Sequence, residues 1–238
     1  KPEIKIILGG PMFLVPADIE SIMGNDCIDI IVIGEGEVTF SELTELLEKG
    51  TDFDLCKGIV YKKEGKIIKT DPRPLINNLD KLPFLDFIDL PLDRYEPPGH
   101  LGRHISLMTS RGCIQNCVFC GPKAYWPGYR SMSGKRIYEE IKYHLQNNPE
   151  IEHIEFLDLL FNDNMKTLNE FCEFIILNPI KLGLRWHANV IIRPEMTPVV
   201  LSRMKKAGCH HLTYGIESGS QRVLDLMRKR YRIEDADK

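Results

Sequence analysis

Apolar positions along this chain recur with two alternating periods. "IKIILGG" (4–10) is a short apolar run closed by glycines, the pattern of a strand buried in a parallel sheet. Behind Pro16, which suits a first helical turn, Ile19, Ile22 and Met23 fall on one helical face. "IDIIVIGEGE" (28–37) predicts a second buried strand with a glycine turn. The helix after it carries Phe40, Leu43, Leu46 and Leu47 on one stripe and stops at Gly50. Two strand–helix units in this span mean α/β. "GIVYKKEGKIIKT" (58–70) predicts a hairpin turning at Glu64-Gly65. Residues 71–103, rich in Pro and Asp, read as a linker.

From His104 the alternation resumes. "HISLMTS" predicts a strand, followed by a helix through Ile137, Ile141 and Leu145. "EHIEFLDLLF" is a strand, and the next helix bears Leu168, Phe171, Cys172 and Ile175. "LRWHANVI" is a strand; its helix has Thr197 as N-cap, Pro198 first and Gly208 just past its end. "HHLTYGIES" is a strand, and Val223, Leu224 and Met227 mark the last helix. Four βα units are in register with a parallel barrel, which needs more units to close. The expected organisation is 1–70, a linker at 71–103, and a partial βα barrel at 104–238.

Composition narrows the class. The 43% hydrophobic and 27% charged residues are those of an ordinary soluble globular protein. A net charge of −3 with no basic stripe gives no reason to expect a nucleic-acid partner. No apolar run approaches membrane-span length, so no membrane partner is expected, and no signal peptide opens the chain. Seven cysteines, an odd number with three clustered, argue against a secreted disulfide framework and for a cytoplasmic, reducing compartment. The chain begins at Lys1 and runs straight into a strand pattern, which reads as a piece of something longer.

The clustered thiols carry the chemistry. In "TSRGCIQNCVFCGP" (109–122), Cys113, Cys117 and Cys120 stand at i, i+4 and i+7, which would suit a small apolar helix stripe. Gly112 before them and Gly121-Pro122 after them break a helix on both sides and let a backbone wrap closely around something. Zinc takes thiolates but wants a fourth ligand, and no Cys or His pair stands at finger spacing later. Ferredoxin-type loops want four cysteines at other spacings. Three thiolates on a four-iron cluster leave one iron open, and an open metal position is where a catalyst binds its substrate.

CxxxCxΦC, with Phe119 before the last cysteine, in a loop after the first barrel strand, resembles the radical S-adenosylmethionine enzymes. The resemblance implies a 4Fe-4S cluster held by Cys113, Cys117 and Cys120. Its open iron would chelate the amino and carboxylate groups of S-adenosylmethionine. Reductive cleavage would then give methionine and a 5′-deoxyadenosyl radical. Phe119 would lie by the adenine. Asp158, ending the second barrel strand, stands where the family binds the cofactor's amino group, although its neighbour Leu159 replaces a second acid; capping the next helix is its bland alternative. "YGIESGS" (214–220) matches the segment contacting ribose and methionine, so Glu217 and Ser218 are candidates. Ser218 to Gln221 also fits a capping box. Glu217, a carboxylate closing a buried strand, is costly unless it binds something. Arg193, beyond the third strand, could meet the cofactor carboxylate or be a solvated loop arginine. Cys172 reads as core; Cys27, Cys56 and Cys209 have no partner at metal spacing.

"PEIKIILGGP", "DIIVIGEGEVTFSEL" and "NNLDKLPF" resemble the second half of a flavodoxin-like, cobalamin-binding domain and its linker. That pairing marks the cobalamin-dependent radical clade, which includes carbon methylases and the anaerobic magnesium-protoporphyrin ester cyclases. Gly9 and Gly10 would let the backbone approach the nucleotide tail of cobalamin, with Gly34-Glu35-Gly36 on the same rim. The DxHxxG motif that supplies a cobalt ligand is absent, so residues 1–238 alone are not expected to bind cobalamin tightly. The expected function is cobalamin-dependent methylation or cyclisation of a small molecule, with an electron donor such as flavodoxin or ferredoxin as partner. The alternatives are a methylthiotransferase acting on tRNA or a ribosomal protein, and a zinc-stapled binding module without catalysis.

Overall fold

A computed structural model of the chain describes residues 4–10, 16–87, 89–95, 102–121 and 125–236. They divide into two compact units, one running to Asn77 and including Tyr125 and Trp126, the other starting at Asn78.

The first unit holds β1 (Ile7–Leu8), α1 (Pro16–Met23), β2 (Ile30–Val32), α2 (Gly36–Lys49), β3 (Ile59–Lys63) and β4 (Lys66–Lys69) in a sheet of order β1-β2-β3-β4. β1 and β2 are parallel; β3 and β4 run antiparallel. β2 is covered on both faces, by Leu43 and Ile59 beside Ile30 and Val32, and by Ile19, Met23 and Val60 beside Ile31. That is why its sequence is continuously apolar and not alternating. The hairpin turns on Glu64 and Gly65, whose φ values of 52° and 75° give the left-handed pair a tight hairpin needs.

Two expectations change here. The run 4–10 is not a fully buried strand: only Ile7 and Leu8 pair, and Ile4 and Ile6 are exposed, because β1 has one neighbouring strand among the described residues. Phe40, expected on the buried stripe of α2, is 49% exposed while Leu43 is fully buried. Phe40 lies in the first half of α2 and borders a cavity at the strand ends instead.

The second unit contains β5 (His104–Leu107), β6 (Ser110–Arg111), β7 (Arg130–Ser131), α3 (Gly134–Asn147), β8 (His153–Phe156), α4 (Met165–Leu177), β9 (Arg185–Val190), α5 (Pro198–Lys206), β10 (Cys209–Tyr214) and α6 (Gln221–Leu226). β5, β8, β9 and β10 form one parallel sheet in chain order. This is the strand–helix succession of a barrel wall. Phe156 of β8 stacks on Phe161 at a centroid distance of 4.3 Å, and Trp186 of β9 and Phe171 close the aromatic cluster around them at 5.5–5.9 Å. Alternation puts His153, Glu155 and His187 on the other face of the sheet. There His153 Nε2 lies 2.6 Å from His187 Nδ1, and Ser106 Oγ donates to Glu155 at 2.8 Å. Gly134 starts α3 against α4 so closely that a Cβ would stand 2.4 Å from the amide nitrogen of Phe171.

β10 is the other departure. Expected to be buried, it mixes half-buried and exposed residues, because it too has one neighbouring strand among the described residues. The stretch expected as linker is also partly structured. Asn78 caps a 3₁₀ turn at Leu79–Lys81, Leu79 is buried, and residues from Asn78 onward belong to the second unit. Arg136 of α3 donates to the carbonyls of Leu82 (2.9 Å) and Pro83 (3.2 Å) and to Glu140 (2.8 Å), while Glu140 accepts the amide of Leu85 at 3.2 Å.

Candidate active site

The cysteine loop leaves β5 through Thr109, pairs briefly as β6 with β7, and turns at Gly112, whose φ of 81° only glycine adopts without strain. Three contacts pin it. Ile114 N–H donates to Asp163 Oδ2 at 3.1 Å, Gln115 N–H to the sulfur of Cys113 at 3.3 Å, and Val118 N–H to the carbonyl of Met227 at 3.1 Å. All three thiols of the loop open onto one cavity of about 250 Å³, with Phe119 on its rim and Asn189 and Thr213 from the strands at its floor. Leu159, Leu160, Val190 and Ile191 make much of its wall apolar.

The donor set fits a cluster. Among the described residues no three His, Cys, Asp or Glu side chains are grouped to hold a single metal ion. The three cysteines line one cavity, and three thiolates on a four-iron cofactor would leave one iron free. Gln115 Oε1 is buried beside them with no hydrogen-bond partner among the described residues. Burial pushes the Cys113 thiol up to about 11, against the opposing Gln115 N–H, so metal uptake at Cys113 must release a proton.

The remaining candidates separate. Glu217 lines the cavity, but it follows the partly exposed strand β10, with its side chain 39% exposed and its backbone left-handed at φ 71°. Asp158 is fully buried away from the cavity, where it accepts hydrogen bonds from the Thr109 amide and from the hydroxyls of Thr109 and Ser110. It does not cap the next helix; Asn164 does, by accepting from the amides of Lys166 and Thr167. Burial raises the Asp158 carboxyl to about 6, although these donors pull it down. Arg193 is committed to the carbonyls of Asn162 (2.8 Å) and Asp163 (2.7 Å) and to Glu195. Ser218 forms no capping box with Gln221. Its hydroxyl accepts from Ser220 N–H at 3.1 Å, and Ser220 occupies the N-cap of α6.

Sequence reasoning missed Lys229. Its ammonium enters the cavity beside Glu217, and nothing in "MRKRYR" distinguishes it from the cations around it. It also missed how Leu159 is used: the residue that replaces a second acid is part of the apolar wall.

In the first unit, Gly9, Gly10, Gly34 and Gly36 border a cavity of about 240 Å³ at the carboxyl ends of β1 and β2, together with Phe40 and Tyr125. Gly10 and Gly34 have φ of 110° and 82° with open space where a side chain would be, so backbone faces the cavity directly.

A parallel βα wall carrying a three-thiol loop at its strand ends defines a metal-cluster enzyme of barrel type. Residues 107–238 match the family model described as Radical SAM superfamily, and the chain belongs to that superfamily of enzymes. A 4Fe-4S cluster and S-adenosylmethionine are the cofactors that membership implies. The chain is 35% identical over 226 residues to an uncharacterized methyltransferase of Pyrococcus horikoshii, covering 94% of this chain and 48% of that protein. It is 30% identical over 206 residues to the anaerobic magnesium-protoporphyrin IX monomethyl ester cyclase of a Synechocystis species, covering 85% and 40%. The chain thus spans about half the length, or less, of these relatives. The radical S-adenosylmethionine methyltransferase TsrM of Kitasatospora setae, solved with cobalamin and a [4Fe-4S] cluster bound, shares the fold. Its TM-score is 0.73 at 18% identity, over 98% of this chain and 46% of that one. No helix among the described residues is long and apolar enough to cross a membrane.

Proposed function

We propose that this chain carries the cofactor-binding part of a cobalamin-dependent radical S-adenosylmethionine enzyme that methylates or cyclises a small molecule. The carrying observation is the convergence of Cys113, Cys117 and Cys120 on one cavity that also presents Phe119 and Glu217. When bound, the cluster supplies the electron that cleaves S-adenosylmethionine to methionine and a 5′-deoxyadenosyl radical. The protein's own tasks are simpler. Three thiolates hold the irons and leave one position free. Phe119 offers a ring face to the adenine, and Glu217 a carboxylate to the cofactor's polar end. The leucine and isoleucine wall keeps water from a reactive species. The glycine-bordered cavity of the first unit supports the cobalamin reading, since bare backbone admits a large ligand closely. A one-electron donor protein would complete the cycle, and seven free cysteines suit a reducing cytoplasm.

Anaerobic reconstitution with iron and sulfide tests this reading. The protein should turn brown, bind S-adenosylmethionine, and release 5′-deoxyadenosine when dithionite is added. A colourless protein that takes up zinc and no iron would sink it.

A further inference from the structure

We infer that Lys229 receives the carboxylate of S-adenosylmethionine, with Glu217 beside it to accept from the amino N–H; this rests on the reading of the cavity as the cofactor site. Among the described residues lining the cavity, Lys229 is the one cation and Glu217 the one carboxylate. The aminoacyl end of the cofactor presents a carboxylate and an amino donor, so a cation beside a carboxylate acceptor complements it. Arg193, the other candidate for that carboxylate, is spent on backbone carbonyls and Glu195.

The local backbone is arranged around this pair. The Lys229 side chain is only 9% exposed, and its Nζ donates to the Gly215 carbonyl at 2.8 Å and, more loosely, to Glu217 Oε1 at 3.4 Å. An ammonium has three donors, so one remains for a ligand. The Phe119 ring centroid lies 5.8 Å from Nζ, which brings the cation to the same rim as the cysteine loop. Gly215 needs no left-handed backbone. Its lack of a side chain leaves room, since a Cβ there would stand 3.1 Å from Glu217 Oε1 and 3.6 Å from Lys229 Nζ. Glu217 itself is held left-handed, a conformation that non-glycine residues keep when surroundings impose it. Tyr231, from two residues beyond Lys229, donates its hydroxyl to the Ile216 carbonyl. A nearly buried ammonium whose one counter-ion is half-exposed and only loosely bonded has a donor to spare, and an arriving carboxylate completes it.

The test compares S-adenosylmethionine with its decarboxylated analogue, by equilibrium dialysis against the cluster-loaded protein. Lys229→Gln should weaken S-adenosylmethionine about tenfold or more. It should leave the decarboxylated analogue within about twofold, and iron content unchanged. Lys229→Arg should restore most of the affinity, because it keeps the charge. Equal weakening of both ligands would show a structural role and overturn the inference, as would no weakening of either. Wild-type protein that holds its iron yet binds neither ligand would overturn the reading of the cavity itself, and the inference with it.

Discussion

Asp158 and Thr109 are joined twice over: the Thr109 amide donates to Asp158 Oδ1 at 3.1 Å, and its hydroxyl reaches Oδ2 at 3.0 Å. The carboxylate therefore fixes the point where the chain leaves β5 for the cysteine loop, from a fully buried position at the end of β8. Burial raises its pKa to about 6 from an ordinary value of 3.8. An acid whose folded pKa is raised binds more protons folded than unfolded between these values. Stability therefore falls as pH rises from about 4 to 6, by about 3 kcal/mol. Asp158→Asn should remove this slope and fold, since its carbonyl still accepts from the Thr109 amide and the hydroxyls can rotate to accept. Asp158→Ala strands those donors and should cost about 2 to 4 kcal/mol at any pH. Urea midpoints measured from pH 4 to 7 decide it.

His153 opposes that slope. Its ring is fully buried, and burial, followed by the charges of His210, His187, Arg185 and His104, lowers its pKa to about 4. A histidine with a depressed folded pKa binds fewer protons folded than unfolded, so its contribution is lost as pH falls from about 6.5 to 4. Across this window the wild-type curve should be nearly flat, because Asp158 and His153 pull in opposite directions. His153→Gln keeps a hydrogen-bonding group near His187 Nδ1 and does not titrate; it should expose the falling slope of Asp158. Asp158→Asn should expose the rising slope of His153. Two single variants that both stay flat would refute the pairing.

How much of this was legible in the sequence follows from sequence separation. The buried strand 30–32 announces itself as an apolar run, and the cysteine loop by a spacing flanked by glycines, because both signals are local. Asp158 and Thr109 are 49 residues apart, so nothing near either says that the carboxylate is sealed off from the cavity. Arg193 finds its partners 30 and 31 residues upstream, in backbone carbonyls that no side-chain pattern records. β1 and β10 read as buried strands because an apolar run does not say whether a strand has one neighbour or two.

The cysteines should divide by location. Cys117 opens onto the cavity, whereas Cys172 lies 1% exposed on the buried face of α4. Cys117→Ala should abolish the broad visible absorption of the reconstituted protein. Cys172→Ala should keep the colour and the iron, and lower stability by about 1 to 2 kcal/mol. A brown Cys117 variant with unchanged iron would remove this thiol from the ligand set.

The last prediction concerns the stretch expected to be a loose linker. Arg136 is 7% exposed and Glu140 is 4% exposed; their ion pair would be costly if it were alone. It is not alone. The guanidinium satisfies the carbonyls of Leu82 and Pro83 and lies 4.0 Å from the Phe84 ring centroid, while Glu140 accepts from Leu85. Burial would raise the Glu140 carboxyl, but His144, the Leu85 amide and Arg136 outweigh it and hold it below the usual range. Arg136→Ala leaves a buried carboxylate without its cation and two carbonyls without donors, at a cost of about 3 to 5 kcal/mol. Arg136→Lys keeps the charge but cannot span both carbonyls and Glu140 with one planar fork, so it should rescue only part of the loss. The sharper readout is limited proteolysis. Cleavage between residues 78 and 95 should accelerate in Arg136→Ala well before global unfolding, and Glu140→Gln should show a smaller effect. If this segment is cut equally fast in wild type and Arg136→Ala, these contacts do not anchor it to α3.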